Sequence, residues 1–415
     1  MSPKRPAALA FIFVTILIDV IGIGVIIPVL PALIEQLTGE GVSQASRYAG
    51  WLSFAYAAAQ FFFAPVMGGL SDRYGRRPVL LASLLGLGCD YIFLALAPSL
   101  AWLFVGRVIA GITGASFTTA TAYIADVSTP EKRAQNFGLV GAAFGLGFII
   151  GPVLGGLFAH FGPRVPFVVA AALSLCNFLY GFFVVPESLA VEQRRPFEWA
   201  RANAVASLVR LGQYPKILGL VVALVLLYLA GSATQSVWTF YTILKFKWDE
   251  GMIGWSLGAV GLGALIVQGG LVRVLLPKLG TARATLLGLA FYMVGFVLFA
   301  FASQGWMMFA VTAVYALGGL AGPALQGSIS GQVPPNEQGE LQGALTSLIS
   351  ATGVVGPLFM TSLFAYFTRP RAPLYFPGMP FLVGAGLTGL ALLVALGPLR
   401  RLPAAAPVVP TPGAH

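Results

Sequence analysis

Apolar runs of about twenty residues recur along the whole chain, with only short polar stretches between them. They fall at roughly 8–30, 48–70, 79–97, 101–124, 137–159, 165–185, 217–241, 252–275, 285–302, 306–329, 342–366 and 380–398. A twenty-residue helix rises ~30 Å, the thickness of a bilayer's hydrocarbon core. In hydrocarbon every spanning segment must satisfy its own backbone, and continuous apolar runs of this length do so as helices. Only 9% of the residues are charged, against about a quarter in a soluble domain, so a water-facing surface cannot be built. The expected fold is an all-α membrane protein with twelve transmembrane helices.

The longest polar interval, 187–216, sits between the sixth and seventh runs. It divides the chain into an N-terminal six-helix bundle (1–186), a linker (187–216), and a C-terminal six-helix bundle with a short tail (217–415). Most of the 24 Lys and Arg fall in loops on the N-terminal side. Arg47, Arg164, Lys245, Lys247, Arg369 and Arg371 are on the other side, and Arg107 is inside a run. Basic loops stay in the cytoplasm, which predicts cytoplasmic termini, linker and tail in a multi-pass membrane protein. The run after Lys4 and Arg5 continues past Pro28 without a small-residue cleavage site, so it reads as a retained first span.

The halves echo each other at an offset of 205. Gly75 matches Gly280, Arg73 matches Lys278, Pro130 matches Pro335, Gly138 matches Gly343, Gly151 matches Gly356, and Pro152 matches Pro357. Shared glycines and prolines at one offset predict two pseudo-symmetric bundles with a site between them near the midplane, the layout of alternating access.

Several classes drop out. The net charge of +10 is dispersed through loops with no basic face, which argues against a nucleic-acid partner. His160 and His415 are the only histidines, and Cys89 and Cys176 form no ligand cluster. Neither a metal site nor a membrane enzyme is expected, and no G-x-x-x-x-G-K-[ST] stretch exists to power an ATP-driven pump. No cofactor is expected; the energy source would be a proton gradient. The expected partners are lipid, a small-molecule substrate and protons, with the protein a monomer.

Charge within the spans is the sharpest functional pointer, because each such group is costly unless paired or hydrated. Asp19 lies about eleven residues into the first run, ~16 Å deep, and Arg107 lies ~10 Å into the fourth. Asp90 lies near the middle of the third. A carboxylate there can pin helices by hydrogen bonding, or can take a proton from one face and release it to the other. Arg107 serves equally as a counter-ion or a relay.

After the second run comes Gly68-Gly69-Leu70-Ser71-Asp72-Arg73-Tyr74-Gly75-Arg76-Arg77-Pro78. It can be an ordinary basic loop, or a gate in which Asp72 pairs with the arginines across a helix interface and holds one face shut. This string resembles the signature loop of the major facilitator superfamily. In the fifth run, Gly138, Gly147, Gly151-Pro152 and Gly155 have the spacing of the antiporter motif of that superfamily's drug/proton exchangers. Such glycines permit a tight seam, and Pro152 removes a backbone donor and bends the helix.

A closer resemblance, to the tetracycline/proton antiporters, covers about 9–367. It rests on Asp19–Pro31, on 106–115 with Gly106-Arg107, on Tyr123-Ile-Ala-Asp126, on Pro186-Glu-Ser-Leu, on Pro323-Ala-Leu-Gln326, and on Gln338–Gly343. It implies that Asp19, Asp90 and Arg107 are the essential intramembrane charges, and that Asp72, Arg73 and Asp126 belong to the gate. One departure stands out: the ninth run, 285–302, lacks the acid those exporters carry there. Polar and aromatic candidates for a cavity wall are Tyr56, Gln60, Asn177, Gln235, Trp238 and Gln326, each with interhelical hydrogen bonding as the alternative role. The resulting expectation is proton-coupled export of small amphipathic compounds, tetracycline-like or other drugs. The alternative is transport of an endogenous metabolite such as a sugar or lipid-like molecule.

Overall fold

The computed structural model describes residues 4–400 apart from 115, 129, 195, 197–216 and 334–337. Most of the expected linker, and the tail from 401 onward, lie outside the described residues. Among those described, ten helical stretches are long and apolar enough to cross a bilayer. The count reaches twelve crossings for two local reasons. The fourth span is broken, Leu100–Thr113 being followed after Gly114 by Ser116–Val127. The stretch Glu250–Phe301 holds two spans, because the chain turns at Gly280 (φ 74°, ψ 162°). Before that turn, Gly263 lies against Ala316 and Gly319 lies against Val267; after it, Gly288 meets Ala321 and Gly295 meets Tyr315. The two arms therefore run along the same neighbour in opposite directions.

The other spans are Lys4–Ile26, Val42–Tyr74, Arg76–Ala95, Pro130–Ala159, Val165–Val184, Leu218–Phe246, Gly305–Ser330, Gln338–Thr368 and Met379–Arg400. A short helix, Leu30–Thr38, follows the first span on the face opposite the N-terminus. The 205-residue echo is visible in the backbone. Gly75 turns the chain between spans two and three at φ 104°, ψ 157°, much as Gly280 does between spans eight and nine. That region of φ/ψ space is essentially reserved for glycine. Pro152 and Pro357 lie within spans five and eleven.

Within the first half, span one packs on spans five and six, and span two on span four; within the second, span seven packs on eleven and twelve. Between the halves, span two packs on span eleven and span five on span eight. These seams close toward the face opposite the N-terminus. There the Ser43 hydroxyl donates to the Ala365 carbonyl (3.1 Å), and the Thr368 hydroxyl donates to Ser43 (2.9 Å). Gly50 abuts Thr361, and Gly156 abuts Glu250 and Gly251.

Candidate functional site

The first half encloses a cavity of about 200 Å³ lined by Asp19, Tyr56, Tyr91 and Arg107 among aliphatic side chains. Small residues make room for its polar groups. A side chain at Gly22 would strike the Tyr91 hydroxyl (2.7 Å), and one at Gly106 would crowd Asp90 Oδ1 (3.1 Å). Asp90 is buried behind the cavity wall, where its Oδ2 accepts from an Arg107 terminal nitrogen at 3.5 Å. Its Oδ1 is buried with no hydrogen-bond partner. The Arg107 guanidinium lies 5.8 Å from the centre of the Tyr56 ring. Gln60 donates to the Tyr56 hydroxyl (3.3 Å) and the Gly114 carbonyl (3.4 Å), so it braces the wall without lining it. Asp19 and Arg107 thus face one cavity, with Asp90 held behind Arg107.

The loop after span two is bound up within the first half. Asp72 pairs with Arg76 at 2.5 Å, one turn away, and Arg76 Nε pairs with Asp126 at 3.1 Å. Arg76 also donates to Ser71 (2.6 Å), and Ser188 donates to Asp126 (3.0 Å). Arg77 donates to the Phe182 carbonyl, and Arg73 lies over the Tyr74 ring at 5.1 Å. The pair that runs from the third span to the fourth is Arg76 with Asp126, whereas Asp72, expected to pair across an interface, meets Arg76 locally at the corner. Among the described residues the partners of this loop all lie in the first half. Sequence reasoning overlooked Glu187 here. Its carboxylate accepts the backbone N–H groups of Arg76, Arg77, Ser188 and Leu189 at 2.8–3.2 Å, capping the start of span three. A methyl at Gly75 would collide with it. An acid at the first position of the linker was a weak signal, because its partner lies 111 positions upstream.

In span five, Gly147 faces Val20, Gly151 faces Gly24, and Gly155 faces the Val25 carbonyl, so the three form one stripe against span one. On another side of the helix the Pro152 carbonyl abuts Gly254 of span eight. The motif thus serves two contacts, one within its half and one across the seam. Gly138 is helical, but its surroundings lie outside the described residues.

The second half holds a larger cavity, about 390 Å³, lined by Tyr228, Gln235, Gln268, Tyr292, Tyr315 and Gln326 among others. Gln235 and Gln326 were expected at a cavity wall; Gln268 and the tyrosines were missed. Two expected lining residues are elsewhere. Asn177 is buried and accepts from the Thr15 hydroxyl at 3.5 Å. Trp238 is 1% exposed, donates to Ser256 (2.9 Å), and sits edge-on to Phe299. The Trp238 indole N–H and the Asn177 carbonyl are met by neighbouring helices, while the Asn177 amide nitrogen is buried without a hydrogen-bond partner.

A bundle of apolar helices around two internal polar cavities is a membrane transporter, and comparison with known proteins gives its family. The Major Facilitator Superfamily model matches residues 12–305 and 220–413, and the chain belongs to that superfamily. It is 40% identical to the class C tetracycline resistance protein of Escherichia coli, covering 96% of this chain and 98% of that one. It is 38% identical to the class D protein of Salmonella ordonez, covering 97% and 98%. Among solved structures, a bacterial homologue of the human lysosomal transporter Spinster, inward-facing and unoccupied, superposes with a TM-score of 0.77 at 16% identity, covering 96% and 98%. The human organic anion transporter MFSD10 gives 0.69 at 24%, covering 95% and 100%. These two speak to the fold alone.

Proposed function

We propose that this transporter exports small amphipathic compounds, tetracyclines first among them, in exchange for protons by alternating access. The observation that carries it is the first-half cavity, where Asp19 and Arg107 share one wall and Asp90 is paired behind it. Deep charge of this kind has a high cost and is kept for ion or proton pathways. The relatives named for tetracycline resistance supply the cargo. Protonation of Asp19 would change the charge of the cavity, and a change at Asp90 would release Arg107 from its partner; either alters which packing of the halves is cheaper. With no acid in 285–302, coupling rests on the first half. We place the two bundles at 1–186 and 217–415, the linker and both termini in the cytoplasm, and a monomer in the inner membrane.

Efflux of tetracycline from proteoliposomes under an imposed pH gradient tests this, comparing wild type with Asp19→Asn and Asp90→Asn. Gradient-driven transport in the wild type that both changes abolish is expected. Transport indifferent to the gradient and to both substitutions would sink the proton-exchange reading.

A further inference from the structure

The two cavities occupy equivalent places in the two halves. Ile23 and Tyr228, Leu30 and Gln235, Leu87 and Tyr292, Ala110 and Tyr315, and Gly114 and Gly319 each stand 205 positions apart. In every pair the first residue lines the first-half cavity and the second lines the second-half cavity. This is the offset that also relates the corner glycines Gly75 and Gly280. One cavity has been drawn twice and then filled differently. Four aliphatic positions of the first copy are Tyr or Gln in the second. Conversely Asp19 and Arg107 correspond to Leu224 and Thr312, and among the described residues no charged one lines the second cavity.

A further polar group is brought in by irregular backbone. Leu265–Leu271 in span eight is a π-helical segment, a distortion that clusters at functional sites. Within it Val267 is buried while Gln268 is exposed to the cavity. Opposite lies the 3₁₀ turn Gly318–Leu320 in span ten. The Gln268 side chain lies along Gly319, its amide nitrogen 3.8 Å from where a Cβ would stand. Gln326 donates to the Tyr228 hydroxyl at 3.4 Å, and Tyr292 and Tyr315 meet edge-on at 4.7 Å between ring centres. The wall combines amide groups with aromatic faces and carries no net charge.

We infer that the second-half cavity is the cargo-recognition subsite. It takes the uncharged, oxygen-bearing aromatic face of an amphipathic molecule, with Gln235 and Gln268 as hydrogen-bonding residues and Tyr292 as an aromatic wall. The first-half copy keeps the charges and serves energy coupling. The assignment rests on the export reading for its cargo class, but its test is separable from proton exchange.

Binding of tetracycline, chloramphenicol and ethidium to the full-length protein in nanodiscs is measured for wild type, Gln235→Leu, Gln268→Leu, the double variant, Gln268→Asn and Tyr292→Phe. Gradient-driven transport at saturating probe is followed in parallel. Loss of one cargo hydrogen bond should raise the half-saturating concentration about tenfold in each Leu variant. The double variant should reorder the three probes, and Gln268→Asn should recover part of the loss. Tyr292→Phe keeps the ring and the fold, and should weaken only probes that hydrogen-bond to the phenol. Unchanged half-saturation and probe order in the double variant would overturn the subsite, as would a wild type that binds none of the three. Glutamine-dependent binding in a wild type that shows no gradient-driven transport would overturn the proton-exchange reading and leave the subsite standing.

Discussion

Gly24 and Gly151 meet backbone to backbone: a Cβ built on Gly151 would stand 2.8 Å from the Gly24 Cα, and one built on Gly24 would stand 3.0 Å from the Gly151 Cα. The first and fifth spans can therefore approach only because neither position has a side chain. Overpacking of a tight contact costs about 1–3 kcal/mol. Gly151→Ala should lower the thermal unfolding midpoint in detergent and reduce transport. Gly141→Ala, in the same helix with nothing within 4 Å, should do neither. Equal behaviour of the two variants would remove the contact as the cause.

The Asp90–Arg107 pair allows a double-mutant test. The Asp90 side chain is fully buried and Arg107 is 19% exposed. Removal of one partner strands the other charge, which costs about 3–5 kcal/mol for a buried pair. Arg107→Met should therefore destabilise strongly, while Asp90→Asn with Arg107→Met should recover much of the loss. Unfolding of the purified variants measures this, and strictly additive losses would mean that the two groups do not interact.

Glu187 ties the start of the linker to the first half. Glu187→Ala leaves the opening N–H groups of span three uncapped, a change worth about 1–2 kcal/mol. Glu187→Gln, which keeps an acceptor oxygen, should fall between alanine and wild type. Limited proteolysis after residue 187 should be faster in the alanine variant, and equal rates in all three proteins would rule out the cap.

Glu35 lies beyond the first span, in Leu30–Thr38, where burial and then the charge of Glu250 push its carboxyl above the usual 4.5. A carboxyl raised in the folded state holds its proton more tightly folded than unfolded. Its contribution therefore favours folding at low pH and is lost as pH climbs from about 4.5 through the folded value. Glu35→Gln, which keeps the neutral form at every pH, should gain stability relative to wild type as pH rises from 4.5 to 7. A difference in unfolding midpoint that does not vary with pH would contradict this.

Gly280 has open space around it yet sits at φ 74°. Gly280→Ala should cost about 1–3 kcal/mol through backbone strain alone. Gly75→Ala should cost more, since it adds a collision with Glu187. A larger effect at Gly280, read from unfolding midpoints, would reverse the assignment.

The spans were legible because apolar length in a bilayer allows few alternatives. The runs 252–275 and 285–302 already stood apart on either side of Gly280, whereas the break at Gly114 inside 101–124 did not show, since a glycine in an apolar run carries no sign of the φ it will adopt. The charges Asp19, Asp90 and Arg107 could be read as a group, because depth alone marks them. Uncharged polar residues could not. The Trp238 indole and the Asn177 carbonyl found partners on neighbouring helices, while Gln235 faced a cavity, and a single sequence does not choose between these. Gln268 was harder still: its exposure follows from a π turn that has no compositional signature.

The uncharged wall of the second-half cavity has an electrical consequence. A membrane potential acts on charge that moves within it, at about 2.3 kcal/mol per elementary charge per 100 mV. Rocking of a half whose cavity carries no ionised group does little work against that field. In the first half the Asp90 and Arg107 charges cancel while they remain paired. The balance left for the voltage to act upon is whether Asp19 holds its proton, so one carboxyl would decide whether a half-turn of the cycle is electrically silent.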